Sequence, residues 1–88
     1  MHHVFIFIDR RTDDFQDVRD ELISLQHTVT GLTIRWDQDT ETNDSHTYRD
    51  FAPIAELRHA SEEALDIVVE ELVDLFGWKV DCRNRGVS

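Results

Sequence analysis

The chain has 88 residues, of which 40% are hydrophobic and 32% are charged. This length suits one domain with a modest core and excludes two, and the composition excludes a wholly disordered chain. Nineteen Asp and Glu against nine Lys and Arg give a formal net charge of -10, which opposes binding to nucleic acid or to anionic membranes and favours basic partners. A single cysteine and the lack of a long apolar run predict a soluble, cytoplasmic protein.

The first part of the chain predicts a strand, a helix and a second strand. Residues 3–9 are apolar on both faces of an alternating pattern, which is typical of a central strand. Thr12 is a candidate N-cap for a helix over 13–26, with apolar residues three and four apart on one buried stripe. That stripe consists of Phe15, Val18, Leu22 and Leu25. Alternation over 29–37 predicts the second strand.

The middle of the chain contains one loop and one ambiguous segment. Residues 38–47 are polar and turn-rich, which predicts a long loop. The segment 48–58 contains Pro53, which argues against the middle of a central strand. It fits a strand with the proline near its start, or a helix with the proline in its first turn. We favour the strand.

The last part predicts a helix followed by a strand. Ser61 is an N-cap candidate for a helix over 62–76, and Gly77 is placed to end that helix with a positive φ. Its predicted apolar positions are Leu65, Val68, Val69, Leu72, Leu75 and Phe76. Alternation over 78–83 predicts the final strand, and residues 84–88 read as a flexible tail.

The predicted order is β-α-β-β-α-β within a single domain, residues 1–88. This order is that of the ferredoxin-like two-layer sandwich, in which two helices cover one face of an antiparallel four-stranded sheet. If residues 50–60 were helical instead, the alternative would be a three-stranded α/β layer.

Charge is segregated between the predicted helices and the rest of the chain. Residues 13–26 and 62–76 hold 11 acids and one cation, Arg19, and sum to -10; the remainder holds 8 acids and 8 cations and sums to zero. Because rows of like charge at i,i+3 and i,i+4 cost stability, we interpret them as a contact surface for a basic protein. The residues expected to carry it are Asp17, Asp20, Glu63, Asp66, Glu70 and Asp74. The alternative is that this acidity serves only solvation or adaptation to salt.

Phe5 and Phe7 share the other face of the first predicted strand. Two aromatic side chains on an open sheet face favour burial by a partner or in a homodimer. Ordinary burial within the chain is the alternative. Stacking on nucleic-acid bases is opposed by the net charge.

Candidate chemistry in the sequence is weak. Asp9 at the end of the first strand, near Asp13 and Asp14, could hold a divalent cation for phosphodiester cleavage, although turn and capping roles fit these acids better. Cys82 fits a buried thiol better than a reactive thiolate. The histidines lack zinc-site spacing, and three glycines cannot form a phosphate loop. We therefore predict no catalytic residue, metal or cofactor.

Three functions remain from these observations. The first is a non-enzymatic acidic inhibitor, immunity-type protein or nucleic-acid mimic that blocks a basic nuclease, toxin or nucleic-acid-binding protein. The second is a ferredoxin-like regulatory or oligomerisation module whose acidity is only solvation. The third is a small metal-dependent nuclease built on Asp9.

Overall fold

The structure is a computed structural model, and it describes residues 1–36 and 51–87. The predicted loop at 38–47, the residues that flank it and Ser88 lie outside this part of the chain. In chain order the elements are β1 (His2–Asp9), α1 (Phe15–Thr28), β2 (Thr33–Trp36), β3 (Phe51–His59), α2 (Glu62–Phe76) and β4 (Val80–Val87), with a 3-10 turn at Gly77–Lys79 between the last two.

The four strands form one sheet in the order β2-β3-β1-β4, and each neighbouring pair is antiparallel. Both helices contribute to the same buried cluster as one face of the sheet, so both lie on that face. The cluster includes Val4, Ile6 and Ile8 of β1, Val18, Leu22 and Leu25 of α1, and Leu65, Val68 and Leu72 of α2. The predicted α+β two-layer fold is confirmed, and its strand order is consistent with the ferredoxin-like arrangement.

Helix α2 begins and ends where its sequence predicts. The Ser61 hydroxyl accepts a hydrogen bond from the Ala64 backbone N–H at 3.3 Å, which satisfies one of the unpaired donors of the first turn. Gly77 follows the last helical residue with a φ of 55°, a conformation that residues with a Cβ rarely adopt. The helix is therefore fixed by local signals at both ends.

Helix α1 begins two residues later than predicted. Thr12 accepts a hydrogen bond from the Asp14 N–H at 3.2 Å and donates its own N–H to the Asp9 carbonyl at 3.2 Å. These bonds form a turn, so the helix starts at Phe15. Phe15 was predicted to be buried but is exposed, because it precedes the first turn that packs on the sheet.

Strand β3 lies inside the sheet in spite of Pro53, which pairs with Phe7. The ladder between β1 and β3 shifts at this point, and Ile54 is the extra residue of the resulting bulge. A bulge is where a proline, which has no N–H to donate, is tolerated inside a sheet. The strand interpretation of this segment is confirmed.

Strand β4 begins two residues later and ends four residues later than the predicted strand over 78–83. Residues 84–87 continue the strand, with Gly86 opposite His3 and Val87 opposite His2, so they do not form the predicted tail. Asn84 has a φ of 59° at a second irregularity, where Asn is one of the few residues other than Gly that is tolerated. The irregularity at Asn84 interrupts the alternation of side chains, so the sequence pattern did not predict that the strand continues.

Candidate functional site

The outer surface of the two helices is the most strongly charged part of the described molecule. Helices α1 and α2 hold nine carboxylates, which we call the anionic layer: Asp17, Asp20, Glu21, Glu62, Glu63, Asp66, Glu70, Glu71 and Asp74. Arg19 is their only Lys or Arg, and its guanidinium lies over the ring of Trp36, 4.5 Å from the centroid. The cation therefore packs towards β2.

Most of these carboxylates have no ion pair within residues 1–36 and 51–87. The seven are Asp17, Asp20, Glu21, Glu63, Glu70, Glu71 and Asp74. Asp66 binds the Arg85 guanidinium at 2.6 Å, and Glu62 lies 4.0 Å from His2 Nδ1. The predicted contact residues thus share the helical surface, and five of the six are exposed and without an ion pair there.

Asp13 and Asp14 precede α1 and do not belong to its first turn. Asp14 accepts a hydrogen bond from the Lys79 ammonium and forms an ion pair with it. This contact ties the start of α1 to the turn after α2. Asp14 is therefore a structural residue, and the anionic layer begins beyond it.

Apolar side chains are exposed on α2, which carries part of the anionic layer, and in the 3-10 turn that follows it. Ile67 is 61% exposed, Leu75 54% and Trp78 62%. Leu75 is one of the apolar positions whose period predicted α2, and it is exposed. The core side of α2 is defined by Leu65 and Leu72, and Leu75 lies beyond the edge of that side. The spacing of Ile67 and Leu75, eight residues apart on one helix, was the sequence signal for this exposed stripe.

The two aromatic residues on the sheet face opposite the helices differ in solvent exposure. Phe7 is 1% exposed and lies outside the core cluster beneath the helices, whereas Phe5 is half-buried. Phe5 is paired with Glu56 and with Arg83 in the two flanking strands. Phe7 therefore offers no area to a partner in this conformation, and only Phe5 of the predicted pair is accessible.

Asp9 is buried and bound to Arg11. The Arg11 backbone N–H and Nε each donate to Asp9 Oδ1 at 2.9 Å. The hydrogen bonds from the side chain and backbone of Arg11 lower the pKa of Asp9 below its usual value. Because Asp13 is exposed and Asp14 is paired with Lys79, the three carboxylates do not converge on a cation. The proposed nuclease site gains no support from this geometry.

Cys82 is partly buried on the helix side of the sheet, paired with Ile6. Burial raises the pKa of its thiol to about 11, and the neighbouring Asp81 carboxylate adds to that effect. The thiol is therefore protonated at neutral pH. Since the thiolate is the nucleophilic form, the raised pKa disfavours nucleophilic reactivity at Cys82.

Among the described histidines, His59 serves the fold. His59 Nε2 lies 2.7 Å from the Thr30 carbonyl, and its Nδ1 accepts a hydrogen bond from the Ser61 N–H at 2.8 Å. Both ring nitrogens are thus engaged, which joins the approach to β2 with the start of α2. Among residues 1–36 and 51–87, no group of three or more His, Cys, Asp or Glu is arranged to hold a metal.

A scan against protein-family models finds no match, and searches of curated proteins and of solved structures find no similar chain. Neither described helix is long and apolar enough to cross a bilayer. A functional proposal for this chain therefore rests on its own geometry, and the anionic layer is its most distinctive feature.

Proposed function

We propose that this chain is a non-enzymatic binding protein whose anionic layer occupies the basic surface of a nucleic-acid-handling protein, such as a nuclease or toxin, and inhibits it. The observation that carries the proposal is the set of seven helical carboxylates without an ion pair in the described part of the chain. The carboxylates of the sheet, in contrast, are paired with arginines.

Unpaired like charges on a helix reduce its stability. A like-charge pair at i,i+4 costs a few tenths of a kcal/mol, and a Lys placed four residues from a Glu would turn this cost into a gain. Helix α2 has six carboxylates and neither Lys nor Arg. A basic partner that supplies the missing cations would relieve this repulsion in the complex.

The spacing of the carboxylates also fits the binding site of such a partner. Positions three and four apart on a helix lie about 5–6 Å from one another, which is comparable to the spacing of successive phosphates along a nucleic-acid strand. A surface that holds phosphates with Arg and Lys can accept carboxylates at this spacing. The anionic layer would then compete directly with nucleic acid.

The first test is capture of partners from an extract of the source cell on the immobilised chain, followed by association kinetics with each purified partner. We expect the association rate to fall steeply with rising salt, and added DNA or RNA to compete. Glu70→Lys should slow association severalfold. The matched control is Asp13→Lys, which makes the same change in net charge at an exposed residue outside the anionic layer.

Equal association rates and equal salt dependence for wild type and Glu70→Lys would reject the proposal. The acidity would then be better explained as solvation, and the chain as a regulatory or oligomerisation module. Both variants must first give the far-UV circular dichroism of the wild type, so that a change in rate reports the surface and not the fold.

A further inference from the structure

The anionic layer has an apolar border along one side of α2. Residues four apart on an α-helix differ by about 40° around the axis, so Ile67, Glu71 and Leu75 follow one another along the same side. Trp78 follows in the 3-10 turn after the helix, with the Arg11 guanidinium 5.8 Å and the Lys79 ammonium 6.0 Å from its ring centroid. We call Ile67, Leu75 and Trp78 the apolar stripe.

The apolar stripe is exposed throughout, at 61%, 54% and 62% for its three members. Single exposed apolar residues are normal on protein surfaces, whereas several in line beside a charged surface mark an interaction site. Glu70 and Asp74 border the stripe at Ile67, and Glu71 lies between Ile67 and Leu75; none of these three carboxylates has an ion pair among the described residues. The side chains of stripe and border thus offer apolar area and negative charge together.

We propose that the apolar stripe and its acidic border form a docking site for a basic amphipathic helix of the partner protein. This inference rests on the proposed function and names the element of the partner that is recognised. From Ile67 to Leu75 the stripe is about 12 Å long, which corresponds to two turns of a partner helix. Apolar residues of that helix pack on the stripe, and its Lys and Arg reach Glu70 and Asp74.

Charge complementarity distinguishes this occupant from others. Anionic lipid and nucleic acid are repelled by Glu70, Glu71 and Asp74, and a second copy of this chain would bring the same carboxylates together. A basic helix without apolar residues would form ion pairs with the acidic border, and the apolar stripe would remain exposed to solvent. The apolar stripe therefore contributes to the binding free energy of an amphipathic helix, and salt does not screen this contribution.

The test uses two synthetic helical peptides with the same number of lysines. One carries leucines at i,i+4 spacing on the opposite face, and in the other these leucines are replaced by alanines. Binding is followed by fluorescence anisotropy of labelled peptide at low and physiological salt. We expect wild type to bind the leucine peptide about tenfold more tightly than the alanine peptide, since each buried leucine adds apolar area.

Ile67→Ser/Leu75→Ser should bind the leucine peptide only as well as the alanine peptide, with the salt dependence unchanged. Val73→Ser is the matched control, because Val73 is 46% exposed but lies on the other flank of α2. It should keep the tenfold preference. If the double variant does not fold, Leu75→Ser alone should reduce the preference about threefold.

An unchanged preference in the folded double variant, or the same loss in Val73→Ser, would overturn the docking site. Equal, salt-sensitive binding of both peptides by wild type would also overturn it and leave the proposed function standing. Binding of neither peptide at low salt would count against both proposals. Sedimentation of wild type as a dimer that the double variant abolishes would assign the stripe to self-association instead.

Discussion

The sheet and the helices of this protein use carboxylates in opposite ways. Within residues 1–36 and 51–87, all three carboxylates on strands have an arginine partner: Asp9 with Arg11, Glu56 with Arg35 and Arg58, and Asp81 with Arg83. Of the nine on the helices, only Asp66 has an Arg or Lys partner among the described residues. The negative charge of the sheet is therefore neutralised locally, and that of the helices is left for solvent or for a partner.

Two of the three pairs on the sheet follow from the period of a strand. Glu56 and Arg58 in β3, and Asp81 and Arg83 in β4, are two positions apart, so their side chains lie on the same face and place acid beside base. Arg11 lies in the turn after β1 and binds Asp9 through its side chain and its backbone N–H. On α2 no basic residue occurs at i+3 or i+4 from any acid within the helix. The contrast indicates that charge stabilises the sheet and is a cost to the helices.

The largest effect is expected from removing the buried carboxylate of the sheet that has two arginine partners. Glu56 is 4% exposed, and its carboxylate lies 3.1 Å from Arg58 Nε and 3.6 Å from Arg35 Nη1. Glu56→Gln leaves two neighbouring guanidinium groups without an anion, and we expect a loss of about 1–2 kcal/mol in the free energy of unfolding, measured with urea. This is below the range for fully buried pairs because both guanidinium groups remain more than a third exposed.

Glu71→Gln on α2 is the control for this prediction. It removes the same charge from an exposed helical site and should change stability by less than about 0.5 kcal/mol. Equal losses in the two variants would show that sheet and helix carboxylates do not differ in their contribution to stability.

A second variant, Asp9→Asn, tests whether the ion pair between Asp9 and Arg11 makes stability depend on pH. The pKa of Asp9 is lowered by Arg11, so the ionised carboxylate stabilises the fold above the ordinary value of 3.8. That contribution is lost as pH falls through the lowered pKa. We expect Asp9→Asn to be less stable than wild type at neutral pH, and the difference in urea midpoint to shrink below about pH 3.8. A difference that stays constant with pH would contradict this account of the ion pair.

Neutralising two carboxylates of the same helix, one at a time, should change stability by smaller amounts and in opposite directions. Asp66 has Arg85 as its partner, and Glu70 has none within the described residues. Asp66→Asn should lower stability by about 0.2–1 kcal/mol, and Glu70→Gln should raise it by a few tenths. Thermal unfolding of both variants, each compared with wild type, gives the signs. The same sign in both would mean that the pair with Arg85 contributes nothing.

The smallest change in stability is expected from a change in salt concentration. Repulsion within the anionic layer is screened as ionic strength rises, so sodium chloride should stabilise wild type by a few tenths of a kcal/mol between low and physiological concentrations. In Glu70→Gln/Glu71→Gln this gain should be smaller. An equal increase in stability in both proteins would show that the repulsion screened by salt does not involve Glu70 and Glu71.

The sequence by itself determined the order of the elements and the segregation of charge. The prediction of a helix over 62–76 matches the structure, since Ser61 and Gly77 act on their immediate neighbours. The buried stripe of α1 was predicted except for Phe15. These features depend on hydrogen bonds and side-chain periods within a few residues, which a single segment specifies.

Only the tertiary structure decided which of these residues are accessible and which are paired. Phe5 and Phe7 have the same place in the alternation of β1, yet Phe7 is buried and Phe5 is half-exposed. Glu56 acquires Arg35 as a second partner because β2 and β3 align in one register. Residues 84–87 became strand because β1 extends far enough to pair with them. Register and bulges depend on contacts between segments distant in sequence, so no local pattern specifies them.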